Sequence, residues 1–341
     1  MRDPAFWWRD GSFIAGLLAP LGAVYGAIAA RRMAKTGARA GVPVICVGNF
    51  TLGGAGKTPT AMWLAKTLKA AGEQPCCLSR GYGGSDAGPK LVDPQTDAAS
   101  QVGDEALLLA RVAPTIVSRD RVAGALAATA TGASVIVMDD GLQNASLLKD
   151  FTLAVVDGRR GVGNGYVFPA GPLRAPLDAQ LARCDALLII GDAQHAAGVI
   201  AAAGKRPIFH GRLVPDPAAL TALKSRNVFA FAGIGDPEKF FATLMQAGIA
   251  VTQRKAFADH HRFSGEEAAG LVMQAEHEGL TLLTTEKDHA RMAGDPALAA
   301  LAERAQVLPV TLVVDEAERL RALALGKIGK PISGHYLPAL P

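Results

Sequence analysis

Residues 13–30 form an eighteen-residue stretch without a charge, and from residue 42 onward short apolar runs alternate with segments of helical period. The runs at 42–47, 114–118, 134–138, 151–156 and 185–190 are rich in Val, Ile and Leu, and the run at 74–79 carries Pro, two Cys and Leu. Continuous apolar runs of that length read as strands buried on both faces. Between them, residues 59–71, 104–113 and 121–131 repeat apolar positions three and four apart, the spacing of a helix packed on one side. The alternation predicts an α/β fold, a mostly parallel sheet with helices on both faces and ligands at the carboxyl ends of its strands.

Residues 205–226, with Pro207, Pro215 and Pro217, read as an extended connection to a second, smaller α/β unit. That unit has strand patterns at 228–232, 280–284 and 307–314 and a helix at 264–278 opened by a Ser264/Glu267 capping box. A last helix reads as capped by Asp315 with Glu318. The expected organisation is an apolar segment 1–36, a main domain 37–204, the connection 205–226, the smaller unit 227–330 and an irregular tail 331–341.

The first strand and first helix flank Gly53-Gly54-Ala55-Gly56-Lys57-Thr58. Strand, glycine-rich turn, Lys-Thr and helix together suit a nucleoside triphosphate, because backbone N–H groups can curl round phosphate oxygens at a helix N-terminus. Lys57 would reach the outer phosphates and Thr58 would take one position on Mg²⁺. Thr51 stands where the strict motif has glycine. Asp139 and Asp140 follow a buried strand, where a carboxylate would hold Mg²⁺; as a pair they also suit a plain turn. Glu286 occupies the lysine position of a guanine-reading Asn-Lys-x-Asp, and neither aspartate has Gly three residues on. ATP is therefore favoured over GTP.

Other polar motifs admit two readings each. Asp104 and Glu105 after Gly103 complement a helix dipole, or belong to a site. Asp259-His260-His261 is a surface trio or a strand-end site, and residues 284–288 are a capped turn or its completion. The glycine- and proline-rich loop 161–173, followed by Arg174, shapes a substrate mouth or merely connects.

Charge changes the picture little. A net +4 and pI near 8.9, without an Arg/Lys run interleaved with aromatics, give no case for nucleic acid. Cys46, Cys76, Cys77 and Cys184 lack CxxC spacing and read as small buried hydrophobes. For the apolar segment, a signal peptide, a transmembrane anchor, a buried core helix and a kinked hairpin or helix within one leaflet compete. Pro20, with Gly16, Gly22 and Gly26, favours the last, and Arg31, Arg32 and Lys35 favour an anionic cytoplasmic membrane face.

As a set, several motifs resemble the tetraacyldisaccharide 4′-kinase family of lipid A biosynthesis. They are residues 47–59, Ser79-Arg80-Gly81-Tyr82-Gly83, Gly103-Asp104-Glu105, Asp139-Asp140-Gly141-Leu142-Gln143, Gly163-Asn164-Gly165, residues 169–174, Asp259-His260-His261 and residues 284–288. Thr51 fits the family's version of the loop. The resemblance implies a kinase for the 4′-hydroxyl of a tetraacyl disaccharide 1-phosphate, using ATP and Mg²⁺. It implies a P-loop domain and a smaller C-terminal α/β domain that close over the nucleotide. It implies a peripheral or monotopic enzyme on the cytoplasmic face of the bacterial inner membrane, with no obligate protein partner. By motif position, Thr51, Gly53, Gly54, Ala55, Gly56, Lys57 and Thr58 would bind the nucleotide. Thr58, Glu105, Asp139 and Asp140 would serve the metal, and Lys57 and Asp140 the transferring phosphoryl group. Asp104 would be the base, paired with His260 or His261, and Asn49, Arg80, Tyr82, Asn164 and Arg174 would face the substrate. Ala175 departs from the acidic residue the family often has there. The alternative is a membrane-attached P-loop ATPase switching a protein partner.

Overall fold

The computed structural model describes residues 3–329; the expected tail at 331–341 lies outside them. The chain opens with helix α1 (Phe13–Met33), capped by the Ser12 hydroxyl, which accepts from the Ala15 N–H at 3.5 Å. Arg31 and Arg32 in its last turn complement the dipole. The expected kinked hairpin does not form. α1 runs unbroken through Pro20, whose missing N–H costs one bond in a helix roughly 30 Å long. Nor is α1 a core helix: it touches the protein through Ala15, Gly22, Gly26 and Met33, while Phe13, Leu17, Leu21 and Val24 are 60–84% exposed.

The large sheet takes strands β1 (Val44–Asn49), β2 (Pro75–Ser79), β3 (Lys90–Leu91), β4 (Thr115–Val117), β5 (Val135–Asp139), β6 (Phe151–Asp157), β7 (Ala186–Ile190) and β8 (Ile208–Pro215). The small sheet is built from β9 (Asn227–Ala232), β10 (Ala250–Ala256), β11 (Thr281–Thr285) and β12 (Gln306–Leu308). β13 (Val310–Val314) returns to the large sheet. Among the described residues the strand orders are β13-β8-β7-β6-β1-β5-β2-β4-β3 and β10-β9-β11-β12. The large sheet is parallel except at its edges, where β3 and β13 run antiparallel to β4 and β8. β1, β2, β5, β6 and β7 are buried along their whole length, as their uninterrupted apolar runs require.

Helix α2 (Lys57–Ala70) packs Ala61, Leu64, Ala65 and Leu68 on one face of this sheet, against Ile45, Val47, Val135 and Val137. Helices α3 (Asp104–Ala110), α4 (Gly265–Glu278), α5 (Glu286–Met292) and α6 (Ala317–Ile328) complete the elements used below. α4 begins at the capping box that Ser264 and Glu267 predict.

Three expectations are corrected. Residues 205–226 are no bare connection: β8 pairs in parallel with β7, and a short helix, Pro217–Leu223, follows. The apolar run 307–314 is two strands in two sheets, split at Pro309, which has no N–H to continue a ladder. Asp315 pairs with Arg212 at 2.9 Å instead of capping α6, which starts after Glu316 with no side-chain cap. The chain thus crosses between sheets at 215–227 and again at 308–310, and the two crossings touch where the Asp216 N–H donates to the Pro309 carbonyl at 2.9 Å.

Candidate active site

β1 ends beside β5, with Val47 opposite Asp139, so the glycine loop and the Asp139-Asp140 pair share one strand end. Gly53 and Gly56 sit at φ +91° and +90°, where a side chain is strained; at Gly56 a Cβ would also lie 2.7 Å from Ile190 Cδ1. Lys57 is buried at the start of α2. Its Nζ donates to Asn49 Oδ1 at 3.2 Å and lies 3.7 Å from Asp140 Oδ1. Burial lowers the Lys57 pKa, and Asp140 opposes that shift. Asn49 Nδ2 donates to the carbonyls of Thr51 and Gly53, bracing the loop from beneath. Thr51 bridges to Leu173, and its carbonyl accepts from Arg174 Nε at 2.9 Å.

Asp140, at φ 52°, accepts from Arg174 Nη1 at 2.8 Å. Burial would raise its carboxyl, but Lys57 and Arg174 hold it down at about 2. Asp139 behaves in the opposite way: burial, reinforced by Glu105 and Asp140, pushes it up to about 7. Both Asp139 carboxylate oxygens and the Thr58 hydroxyl are buried without a hydrogen-bond partner. Orphaned oxygens of this kind at the head of a phosphate loop suit Mg²⁺, a hard cation that prefers oxygen ligands. Among the described residues no group of three or more His, Cys, Asp or Glu is placed to hold a metal.

The small sheet supplies the other wall. Gly235, after β9, comes so near the loop that a Cβ there would lie 3.3 Å from the Gly54 nitrogen. Asp104, buried at the start of α3, accepts from Arg291 Nε at 2.7 Å; Arg291 Nη2 lies 2.6 Å from the same Oδ2, and His260 Nδ1 3.5 Å. Arg291 Nη1 donates to Asp288 and to the Gly233 carbonyl, both at 2.6 Å. Glu105 pairs with Lys287 at 2.6 Å. Two cations one turn apart on α5 therefore lie over two adjacent carboxylates on α3. Burial alone would raise Asp104, yet His260, Arg291 and Lys287 drive its pKa well below the usual carboxylate range. Lys287 is raised despite burial, because Glu105 and Asp104 face it.

The histidines part company. His260, at φ 54°, packs edge-on against Tyr82 with ring centroids 4.8 Å apart. His261 turns away to Glu267, 2.9 Å distant, and stacks on Phe257. Arg80 and Tyr82 are exposed on the loop after β2. Asn164 is engaged internally: Nδ2 donates to the Phe6 and Ala170 carbonyls, and Oδ1 accepts from the Tyr166 N–H. Ala175 is buried, and its carbonyl accepts from Gln180. Sequence reasoning missed Arg291; the only signal was its position four residues after Lys287 on a short helix.

A glycine loop and Lys-Thr following the central strand, a neighbouring aspartate pair and a second lobe placing charges over the loop define a P-loop phosphotransferase. The family model described as tetraacyldisaccharide-1-P 4′-kinase matches residues 14–328. The chain belongs to that family. A relative named tetraacyldisaccharide 4′-kinase from Nitrobacter winogradskyi is 54% identical over 332 residues, covering 97% of this chain and 98% of the relative. One of the same name from Methylobacterium sp. (strain 4-46) is 56% identical, covering 96% and 100%. The solved "apo" form of LpxK from Aquifex aeolicus in complex with ATP aligns with TM-score 0.73 and 27% identity over 93% of this chain and all of that one.

Proposed function

We infer that the protein transfers the γ-phosphate of ATP to the 4′-hydroxyl of a tetraacyl disaccharide 1-phosphate, a step in lipid A biosynthesis. The observation that carries this reading is the family match along residues 14–328. The site geometry supports it. Lys57 and Arg174 present fixed positive charge to the transferring phosphoryl group, and Asp140 holds both in place. Thr58 and Asp139 would hold Mg²⁺, which when bound neutralises charge developing on the phosphates. Asp104 is the group to accept the substrate hydroxyl, with His260 beside it to share the proton. In a loose transition state little proton transfer is needed early, so a carboxylate kept ionised by Arg291 suffices for orientation. Glu105, facing Lys287, serves the contact between the lobes, and His261 supports its own loop. Asn49 and Asn164 act as braces, which leaves Arg80, Tyr82 and Arg174 toward the substrate.

The large and small sheets act as two lobes with the reaction between them. The exposed apolar face of α1, mean hydropathy 1.9, attaches the enzyme to the cytoplasmic membrane surface, where both ATP and the lipid are within reach. The test is transfer of labelled γ-phosphate to the tetraacyl disaccharide 1-phosphate in micelles, with Lys57→Ala alongside. A Mg²⁺-dependent lipid product absent from the variant supports the assignment; ATP hydrolysis without lipid product would overturn it.

A further inference from the structure

A basic cavity lies beside the large sheet, under the segment 142–149 that runs back from the carboxyl end of β5 toward the start of β6. It has a volume of about 230 Å³ and opens where α1 ends, between Lys35, Lys149, Ala182, Arg183 and Asp185. Thr152 and Asp185 place its floor at the amino ends of β6 and β7, whereas the phosphate loop follows the carboxyl end of β1. Three cations line it and one carboxylate. That carboxylate is already engaged: Asp185 Oδ1 lies 3.0 Å from Lys327 Nζ, and Oδ2 accepts from the Thr152 N–H at 2.9 Å. Among the described residues Lys35 and Arg183 have no ion pair or side-chain hydrogen bond, and Lys149 Nζ donates to the Asn144 carbonyl alone. Burial lowers the Lys149 pKa and Arg183 adds to the effect, so the ammonium is held at a cost that an anion would relieve.

We propose that this cavity receives the phosphate of an anionic membrane-lipid headgroup and seats the far end of α1 on the bilayer. The inference rests on the membrane reading of α1. A lipid headgroup is favoured over free phosphate by what leads into the cavity. The apolar face of α1 is followed by exposed Arg31 and Arg32, and Lys35 carries the basic stretch to the cavity wall. Mid-helix, Gly22 and Gly26 of α1 pack against Val167, Ala170 and Pro176, on the segment that also carries Arg174. With the headgroup at one end of α1 and the Arg174 segment along it, the enzyme would rest on the surface in one orientation.

The experiment is binding to vesicles of phosphatidylcholine, with and without phosphatidylglycerol, for the full chain and three variants. Ala182→Trp fills the exposed rim without changing charge; Lys149→Met with Arg183→Ala removes two lining cations; Arg31→Ala with Arg32→Ala removes two cations outside the cavity. Phosphatidylglycerol should tighten wild-type binding about tenfold or more, each surface cation accounting for about fivefold. Ala182→Trp should abolish most of that gain, as should the Lys149/Arg183 variant. Full retention by Ala182→Trp, with losses elsewhere tracking only the cations removed, overturns the cavity in favour of diffuse attraction. So does full competition by millimolar inorganic phosphate at constant ionic strength. Equal binding to both vesicles leaves the membrane reading standing and removes the headgroup site, whereas binding to neither removes the membrane reading itself.

Discussion

Replacing Arg291 with methionine tests the contact that joins the two lobes over the reacting centre. The side chains of Arg291 and Asp104 are 8% and 3% exposed, so solvent screens the pair little. Removing one partner of a buried pair costs about 3–5 kcal/mol. Here the loss falls toward about 3 kcal/mol, because Asp104 keeps His260 and the Glu105 N–H, which its Oδ1 accepts at 2.8 Å. Asp104→Asn leaves Arg291 with Asp288 and the Gly233 carbonyl. The two changes should therefore be strongly non-additive in urea unfolding, with a coupling of about 2 kcal/mol. In catalysis the guanidinium acts by position. A base displaced by about 1 Å loses on the order of a hundredfold in rate. Since Arg291 does not touch the phosphate loop, kcat should fall about that far while KM for ATP changes less than about threefold. Arg291→Lys should recover part of kcat through Asp104 alone. Additive unfolding energies, or a variant whose loss appears in KM for ATP with kcat intact, would refute the argument.

Gly56→Ala should abolish ATP binding and cost about 1–3 kcal/mol of stability, because the residue is at φ +90° with Ile190 in the way; calorimetric titration with ATP and thermal melting read the two effects. Asp139 has a folded pKa near 7 against about 3.9 unfolded. Between those values the folded state holds the extra proton, so in Mg²⁺-free buffer its contribution to stability grows as pH falls from 7 toward 4, by at most about 1.4 kcal/mol per unit, and is flat above 7. The wild-type minus Asp139→Asn difference in urea midpoints between pH 5 and 8 should show that slope; a flat difference removes the claim that the carboxylate is an unpartnered buried group. Leu17→Ser with Leu21→Ser and Val24→Ser should leave the melting temperature within a few degrees while vesicle binding drops, as these side chains touch little of the protein. A large fall in stability would mean that the face packs against protein instead.

What was legible in the sequence was local. The phosphate loop, its strand and its helix lie within 44–70, and the Ser264/Glu267 cap spans four residues, so spacing alone exposes them. Asp104 and His260 could be nominated, but a dipole-complementing acid and a surface histidine read the same way until the lobes meet. The Asp104–Arg291 contact joins residues 187 apart, and no period or composition marks it. The apolar run 307–314 hid a change of sheet because both halves are strand-like, and Pro309 was its only trace. Pro20 suggests a kink because proline weighs heavily in a helix interior, but the structure accommodates it at an exposed position in a long helix.

The crossing at Asp216 and Pro309 makes the small lobe an insertion and not a tail. Pro215 and Val310 are ladder partners, so the chain leaves and re-enters the large sheet at adjacent points. A fragment ending at residue 226 would strip β13 from the β8 edge and α6 from the face it shares with α2. An internal deletion of 217–308, closed by a two- or three-residue turn, would instead leave the nine-stranded sheet whole with a new antiparallel hairpin. The phosphate loop could then be studied as an autonomous nucleotide binder, separated from the wall that makes it a kinase.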